Sequence, residues 1–391
     1  MSQLRVGLVA GEASGDTLGA DLIAALRRLV PDARFFGIAG PKMQAAGCDA
    51  WEPAESLAVM GLVEIVRHLP RLLRLRARIR SQLLGARPDV FIGIDAPEFN
   101  LRLARDLRAA GIPTVQYVSP QVWAWRPGRA RSIAESVDLV LCLLPFEQRF
   151  YDARGMRAQF VGHPLADAIP MQPDRAAARA SLGLGPGSQV IALLPGSRRG
   201  EVSRLAEDFA ATVIWLAARR PQLEFIAPMA SPATRQIFAE TLSRRVPTVR
   251  VELTDGRAQT VLAAADAVLV ASGTASLEAA LSKRPMVVVY RLAPMTAWLL
   301  KRLNLVKLEY FSQPNLLADR RVVGEYFQTE IVPESIGAEL LMWLDDAERR
   351  RALEDEFVRI HRQLRRDAGT RAAHAILDLL KARGAAPAES P

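Results

Sequence analysis

Apolar and polar positions follow two rhythms along the chain. Short β-branched runs, apolar on both faces, occur at Leu4–Ala10, Asp89–Asp95, Thr114–Ser119 and Asp138–Leu143. Ala/Leu/Arg segments of helical period lie between them. A strand apolar on both faces must be covered on both, which suits the centre of a parallel sheet flanked by helices. A second series comprises Gln189–Gly196, Leu223–Met229, Val249–Asp255, Asp266–Ser272 and Pro285–Arg291. The chain therefore reads as α/β in two halves.

Between the halves lie Pro164, Pro170 and Pro173, then GLGPG at Gly183–Gly187. That Pro and Gly density marks a linker, with the boundary inside residues 164–188. The expected division is a first domain over 1–170, a second over 188–365, and a C-terminal helix and tail over 366–391. Two α/β halves of similar size would place a cleft between them. In open parallel sheets ligands gather at the carboxyl ends of the strands, so the residues just after each strand are the candidates.

Composition narrows the classes. Of 391 residues, 50% are hydrophobic and 24% charged, which excludes wholesale disorder. No apolar run reaches the ~18 residues of a membrane span. Arg5, Glu12 and Asp16 interrupt the amino-terminal stretch, so no secretory signal is expected. Cys48 and Cys142 lie far apart, which gives neither a disulfide framework nor zinc-ligand spacing. A reducing cytoplasm, no metal and no cofactor are expected. The net charge of +9 favours an anionic partner: nucleic acid, a phosphorylated metabolite or an acidic membrane surface. Arg-rich chains from GC-rich genomes reach the same balance without functional cause.

The first strand runs into GEASGD (Gly11–Asp16), with a helix expected from about Thr17. A small Gly-rich turn at such a junction lets backbone N–H groups face an anion. The spacing matches neither G-x-G-x-x-G nor G-x-x-x-x-G-K-S/T, so neither nucleotide fingerprint applies. Two readings stand: a tight turn with Asp16 as helix N-cap, or a polar loop on the acceptor side. Asp95 ends an apolar strand in GIDAPEFN (Gly93–Asn100). A carboxylate there is placed as a general base, with its pKa raised by partial burial. It can equally N-cap a helix beginning near Pro97, and Glu98 reads as solvent-facing. In Tyr117–Arg129, Trp123 and Trp125 with Ser119 and Arg126 suggest an apolar, hydrogen-bonding wall for a sugar face or acyl chain. A core role for one tryptophan is the plainer reading. VGHP (Val161–Pro164) places His163 before a proline, as a packed turn residue or a reactive one.

In the second half, LPGSRRGEV (Leu194–Val202) ends a strand in Gly196-Ser197-Arg198 before a helix. Gly196 allows close backbone approach, Ser197 donates a hydroxyl and Arg198 offers a planar fork for phosphate, with the helix dipole adding to it. A structural turn is the competing reading. ASGTASLEAAL (Ala271–Leu281) repeats the arrangement: the Gly273-Thr274-Ala275 turn offers N–H groups, and Glu278 lies one helical turn on, where it can accept ribose hydroxyls. Ser312–Gln328 would bring Asn315, Glu325 and Gln328 near the same place.

Taken in order, AGEASGDTLGA, GIDAPEFN, YVSPQVWAWR, FVGHPLAD, LLPGSRRGEV, SGTASLEAAL, PMVVVYR and QPNLLA resemble the lipid-A-disaccharide synthase family of Gram-negative bacteria, over about residues 4–380. The resemblance implies a GT-B glycosyltransferase: two facing Rossmann-like, doubly wound domains with an interdomain cleft. It implies an inverting transfer that joins UDP-2,3-diacylglucosamine to 2,3-diacylglucosamine 1-phosphate, giving the β-1,6-linked disaccharide 1-phosphate and UDP. By resemblance and position, Asp95 deprotonates the acceptor 6-hydroxyl. Arg198 and the helix N-termini after Gly196 and Gly273 stabilise the leaving UDP. The N-terminal half would hold the acylated acceptor through Glu12, Ser14, Asp16, Ser119, Trp123 and His163. The C-terminal half would hold the UDP-sugar through Gly196, Ser197, Arg198, Gly273, Thr274, Ala275, Glu278 and Asn315. A homodimer is allowed.

Two other functions share some of these features. A UDP-N-acetylglucosamine 2-epimerase uses the same fold and a similar donor site. A basic nucleic-acid-binding protein fits the charge, but no RNP, zinc-finger or KH signature is present, so no nucleic-acid partner is expected. Finally, Leu62–Leu84 reads as a basic amphipathic helix. Arg67, Arg71, Arg74 and Arg78 fall within roughly 60° of arc. Leu62, Ile65, Val66, Leu69, Leu72, Leu73, Ile79 and Leu83 cluster opposite, and Pro70 interrupts the pattern. It suits either an ordinary surface helix or peripheral contact with the anionic inner membrane.

Overall fold

Seven parallel strands build the first sheet of the computed structural model, which describes residues 3–57, 62–120, 130–292 and 309–384. They are β1 (Arg5–Ala10), β2 (Arg34–Ala39), β3 (Cys48–Pro53), β4 (Val90–Ile94), β5 (Thr114–Tyr117), β6 (Leu139–Cys142) and β7 (Ala158–Phe160), in the order β3-β2-β1-β4-β5-β6-β7. Alternate side chains feed two cores. Leu8 and Ala10 of β1, Ile92 and Ile94 of β4, and Leu139 and Leu141 of β6 pack on one face. Val9, Phe91, Val140 and Cys142 pack on the other. Both faces are dry, which is why these strands read as unbroken apolar runs.

Six parallel strands build the second sheet: β8 (Val190–Leu194), β9 (Glu224–Met229), β10 (Val251–Asp255), β11 (Ala267–Ala271), β12 (Met286–Tyr290) and β13 (Gly324–Phe327), ordered β10-β9-β8-β11-β12-β13. Strands β8 and β11 are buried at every position.

The chain divides into a unit of Met1–Asp167 with the segment from Leu364 onward, and a unit of Ala168–Gln363. The returning helix Ala368–Ala382 gives Ala372, Ile376 and Leu380 to the core of the first unit. Each large aliphatic side chain buried there contributes about 1.5–3 kcal/mol. Asp167 fastens the helix start: its carboxylate accepts the N–H groups of Arg366 at 3.0 Å, Asp367 at 2.9 Å and Ala368 at 2.7 Å. These are orphan donors of a helix N-terminus, satisfied by a side chain about 200 residues upstream.

Two helices depart from the sequence pattern. The first begins at Ala13, with extended Glu12 at its N-cap position, earlier than the expected Thr17. Helix Leu62–Ala86 runs on through Pro70 without a break. Its apolar face divides: Leu75, Ile79 and Leu83 are buried in the core, while Leu69 and Leu73 are 46% and 41% exposed. The apolar face is thus buried in the core toward its carboxyl-terminal end and exposed at Leu69 and Leu73.

Candidate active site

In the first sheet the strand order reverses between β1 and β4, which pair from Val6↔Val90 to Ala10↔Ile94. In open parallel sheets ligands bind at such a switch point, outside the carboxyl ends of the strands. Gly11 follows β1 and Asp95 follows β4. A Cβ on Gly11 would stand 2.8 Å from Cβ of Ala96, so only glycine lets the two loops meet. Asp95 is half-buried. It has φ +53° and Ala96 has φ +40°, two successive non-glycine residues in left-handed conformation. Pro97 then opens the helix Pro97–Ala109. The Asp95 carbonyl accepts from Nδ2 of Asn100 at 2.8 Å and Nε2 of Gln116 at 3.0 Å. The carboxylate thus stands on a turn fixed through its own backbone, at the end of a central strand.

The other acceptor-side candidates separate. Glu12 and Ser14 are exposed at the start of the helix after β1. Asp16 is 5% exposed, and its carboxylate accepts the N–H groups of Lys42 at 2.9 Å and Met43 at 3.0 Å. It caps the helix Pro41–Ala45 rather than its own, which corrects the N-cap reading of that residue. Ser119 is buried, with Oγ 3.0 Å from the Tyr151 hydroxyl and donating to the Pro120 carbonyl at 3.2 Å. His163 is also buried. Its N–H donates to the Leu364 carbonyl at 2.9 Å, and burial lowers its pKa to about 4. Both side chains are packed inside the fold, Ser119 through its hydroxyl contacts and His163 through Nδ1, which accepts from the Leu165 N–H at 3.2 Å. Trp123, with Trp125 and Arg126, lies outside the described residues.

In the second sheet the order reverses between β8 and β11. The loops at Gly196–Arg198 and Gly273–Ala275 leave those two strands, so the topology brings the donor-side candidates together. They differ in one respect. The N–H groups of Ser197 and Arg198 donate to Glu201 Oε2 at 3.2 and 3.3 Å. A Cβ on Gly196, at φ +127°, would stand 2.7 Å from Cβ of Glu201. This glycine makes room for an internal carboxylate that holds the N–H groups of the loop at Ser197 and Arg198. The Arg198 side chain is 65% exposed, with Nη1 3.5 Å from Glu201.

The second loop is open. Gly273 has φ +151°, no atom stands within 4 Å of where its Cβ would be, and no side chain of the N-cap residue caps helix Thr274–Leu281. An uncapped N-terminus favours an anion through its N–H groups and dipole. Glu278 is half-buried one turn along, where desolvation raises its carboxyl pKa. Asn315 is fully buried. Its Oδ1 accepts from Val322 at 2.8 Å and Val323 at 3.0 Å, and its Nδ2 donates to the Val323 carbonyl at 3.0 Å. It ties together the turn that leads into Val322 and Val323. Glu325 does similar work on the N–H groups of Phe311 and Ser312. Among the described residues no three His, Cys, Asp or Glu side chains gather as a metal site.

Sequence reasoning missed Asn100, Gln116 and Glu201. The first two left a signal: an amide inside the apolar run of β5, and another in the turn motif after β4.

Two parallel Rossmann-like domains, each with polar loops at its switch point, define the α/β architecture of GT-B glycosyltransferases. A calicheamicin glycosyltransferase superposes with a TM-score of 0.59 at 16% identity, covering 97% of this chain and 99% of that one. The UDP-GlcNAc 2-epimerase of Neisseria meningitidis, solved with UDP-GlcNAc, gives a TM-score of 0.64 at 12% identity over 96% of this chain and 100% of that one. At such identities the likeness is of fold, and it leaves the epimerase a distant structural neighbour. The chain belongs to the lipid-A-disaccharide synthase family: residues 6–377 match the family model for lipid-A-disaccharide synthetase. It is 54% identical to the lipid-A-disaccharide synthase of Alkalilimnicola ehrlichii, over 96% of this chain and 98% of the relative. It is 52% identical to that of Xanthomonas campestris pv. campestris (97% and 87%) and 49% to that of Pectobacterium carotovorum subsp. carotovorum (97% and 99%). The protein is thus a glycosyltransferase of lipid A biosynthesis.

Proposed function

We propose that this chain transfers the diacylglucosaminyl unit of UDP-2,3-diacylglucosamine to 2,3-diacylglucosamine 1-phosphate. Asp95 takes the proton from the acceptor 6-hydroxyl. The oxygen attacks C1 of the donor from the face opposite UDP, the C1–O bond to the β-phosphate breaks, and UDP departs with the electron pair. Inversion at C1 gives the β-1,6 linkage. Arg198 and the open helix N-terminus at Gly273–Ala275 offset the charge that develops on the diphosphate, and Glu278 accepts the ribose hydroxyls. Glu12 and Ser14 face the acceptor. The enzyme works in the cytoplasm, as a peripheral protein at the anionic inner-membrane surface where acylated substrates reside.

The observation that carries the chemistry is a half-buried carboxylate on a conformationally fixed turn at the switch point of the first sheet. Asp95→Asn keeps the shape and removes the base. Losing a general base costs ~10²–10⁴-fold. Transfer between the two acylated glucosamines should fall by that factor while UDP binding persists. Near-normal turnover in a folded Asp95→Asn protein would overturn the assignment.

A further inference from the structure

Three residues at the carboxyl ends of β4 and β5 have left-handed backbone without being glycine: Asp95 at φ +53°, Ala96 at φ +40° and Val118 at φ +77°. A β-branched valine there is a genuine outlier. Such conformations persist only where the surroundings over-determine them, and they gather at functional sites. The surroundings here are two fully buried amides. Gln116 Nε2 donates to the Asp95 carbonyl at 3.0 Å and to the Val118 carbonyl at 3.3 Å, spanning both strained turns. Asn100 Nδ2 donates to the Asp95 carbonyl at 2.8 Å and to those of Val9 at 3.3 Å and Ile94 at 3.4 Å, which adds the end of β1. Gly93 provides the space: a Cβ there would stand 2.7 Å from Cβ of Asn100 and 3.1 Å from Oε1 of Gln116.

The same amides use only their donor half within the fold. Asn100 Oδ1 and Gln116 Oε1 are buried and accept no hydrogen bond from the described residues. A buried unpaired acceptor is destabilising, while the N–H groups of the same amides satisfy backbone carbonyls that would lose a donor if the amide were removed.

We propose that Asn100 and Gln116 are positioning residues for the transfer. Their amide N–H groups pull the Asp95 carbonyl inward and hold the Asp95–Ala96 backbone left-handed, which sets where the Asp95 carboxylate points. This rests on Asp95 being the base. Misplacement of a reacting group by about 1 Å costs on the order of 10²-fold.

The test uses the full chain with Gln116→Met and Asn100→Leu, which keep side-chain size and remove the donor. Each should lose about 10²-fold in kcat for transfer, with UDP affinity close to wild type and a lowered Tm, because backbone carbonyls lose their donors. Adding Ala96→Gly to either variant should recover kcat at least in part, because glycine adopts positive φ without the clamp. A purely structural role predicts no such recovery. Should an apolar variant fail to fold, Gln116→Asn keeps an amide but shortens its reach, and carries the same expectation. Wild-type kcat in the folded variants, beside an inactive Asp95→Asn, would overturn the positioning role and leave the base standing. So would a kcat loss that Ala96→Gly does not relieve. An active Asp95→Asn would overturn the base itself.

Discussion

The backbone N–H of Leu165 donates to Nδ1 of His163 at 3.2 Å. A ring nitrogen that accepts carries no proton, so the neutral imidazole holds its proton on Nε2. Burial pushes the pKa of His163 down to about 4, against about 6.5 for an unfolded histidine. Between those values the unfolded chain binds more protons, so stability falls as pH drops through the window. Above about pH 6.5 the contribution is fully present, and by pH 4 the loss reaches about 3 kcal/mol. Thermal melts at pH 7 and pH 4.5 check this. Wild type should lose more Tm on acidification than His163→Asn, whose side-chain oxygen can still accept from Leu165. Equal acid sensitivity would remove His163 as the cause.

Its neighbour Gly162 has φ +100°, and a Cβ there would stand 2.8 Å from the Leu364 carbonyl oxygen and 2.6 Å from Cβ of Arg366. Both the conformation and the space belong to the returning chain. Gly162→Ala should destabilise the protein by about 1–3 kcal/mol through strain and overpacking. Urea unfolding reads this directly. An unchanged midpoint would mean that the C-terminal segment packs elsewhere.

These residues indicate where sequence stops being informative. Strands β1, β4, β6, β8 and β11 are legible because both faces are dry. β2 lies beside β1 and is just as buried, but the pattern does not single it out. β3 and β7 lie at the edges, are only partly buried, and the latter has three residues. Asp95, Gly196 and Gly273 are legible as candidates because function follows strand ends. Asp16 misleads because the helix it caps starts 25 positions later, at Pro41. The same applies to His163, whose burial depends on a segment returning from Leu364. Local pattern carries what neighbours in sequence decide, whereas long-range hydrogen bonds carry the rest.

Arg198 stands beside a loop whose N–H groups Glu201 already holds. If this loop takes the diphosphate, the exposed guanidinium is its charged group. Arg198→Ala should lower UDP affinity and transfer rate together, because the contact exists in ground and transition states alike. Arg198→Lys should recover only part, since an ammonium has no planar fork. Calorimetric titration with UDP separates the cases. Full recovery by lysine would reduce the role to charge, and unaltered binding in the alanine variant would move the diphosphate elsewhere.

Glu278 lies one helical turn beyond the open N-terminus at Gly273. If it accepts the ribose hydroxyls, Glu278→Gln weakens UDP more than it weakens an analogue lacking both hydroxyls. Hydrogen bonds to a charged group contribute about 1.5–3 kcal/mol, which corresponds to ~10–100-fold in Kd. Equal losses for the two ligands would detach Glu278 from the ribose.

The carboxyl-terminal half of the helix Leu62–Ala86 is anchored in the core. Leu75, Ile79 and Leu83 bury it against the core, whereas Leu69 and Leu73 are exposed one turn apart. At 100° per residue they lie within about 40° of each other, with Arg71, Arg74 and Arg78 on another side of the helix. Arg78 is ion-paired with Glu52, so its charge is partly offset. Arg71 and Arg74 are exposed, and Arg74 Nε donates to the Pro70 carbonyl at 3.3 Å. The Arg67 side chain lies outside the described residues. Exposed leucines on a basic helix suit an anionic bilayer surface, where apolar groups enter the interface and cations meet phosphate. Near such a surface each arginine contributes ~1 kcal/mol, and salt screens it. Two changes then separate the contributions. Leu69→Gln with Leu73→Gln should weaken binding to vesicles of mixed zwitterionic and anionic lipid at all salt concentrations. Arg71→Gln with Arg74→Gln should weaken it chiefly at low salt and flatten the salt dependence. UDP binding should remain as in wild type in both. Vesicle sedimentation between low and high salt measures the first two and calorimetric titration with UDP the third, and full retention of vesicle binding in both variants would exclude this helix as the membrane-facing surface.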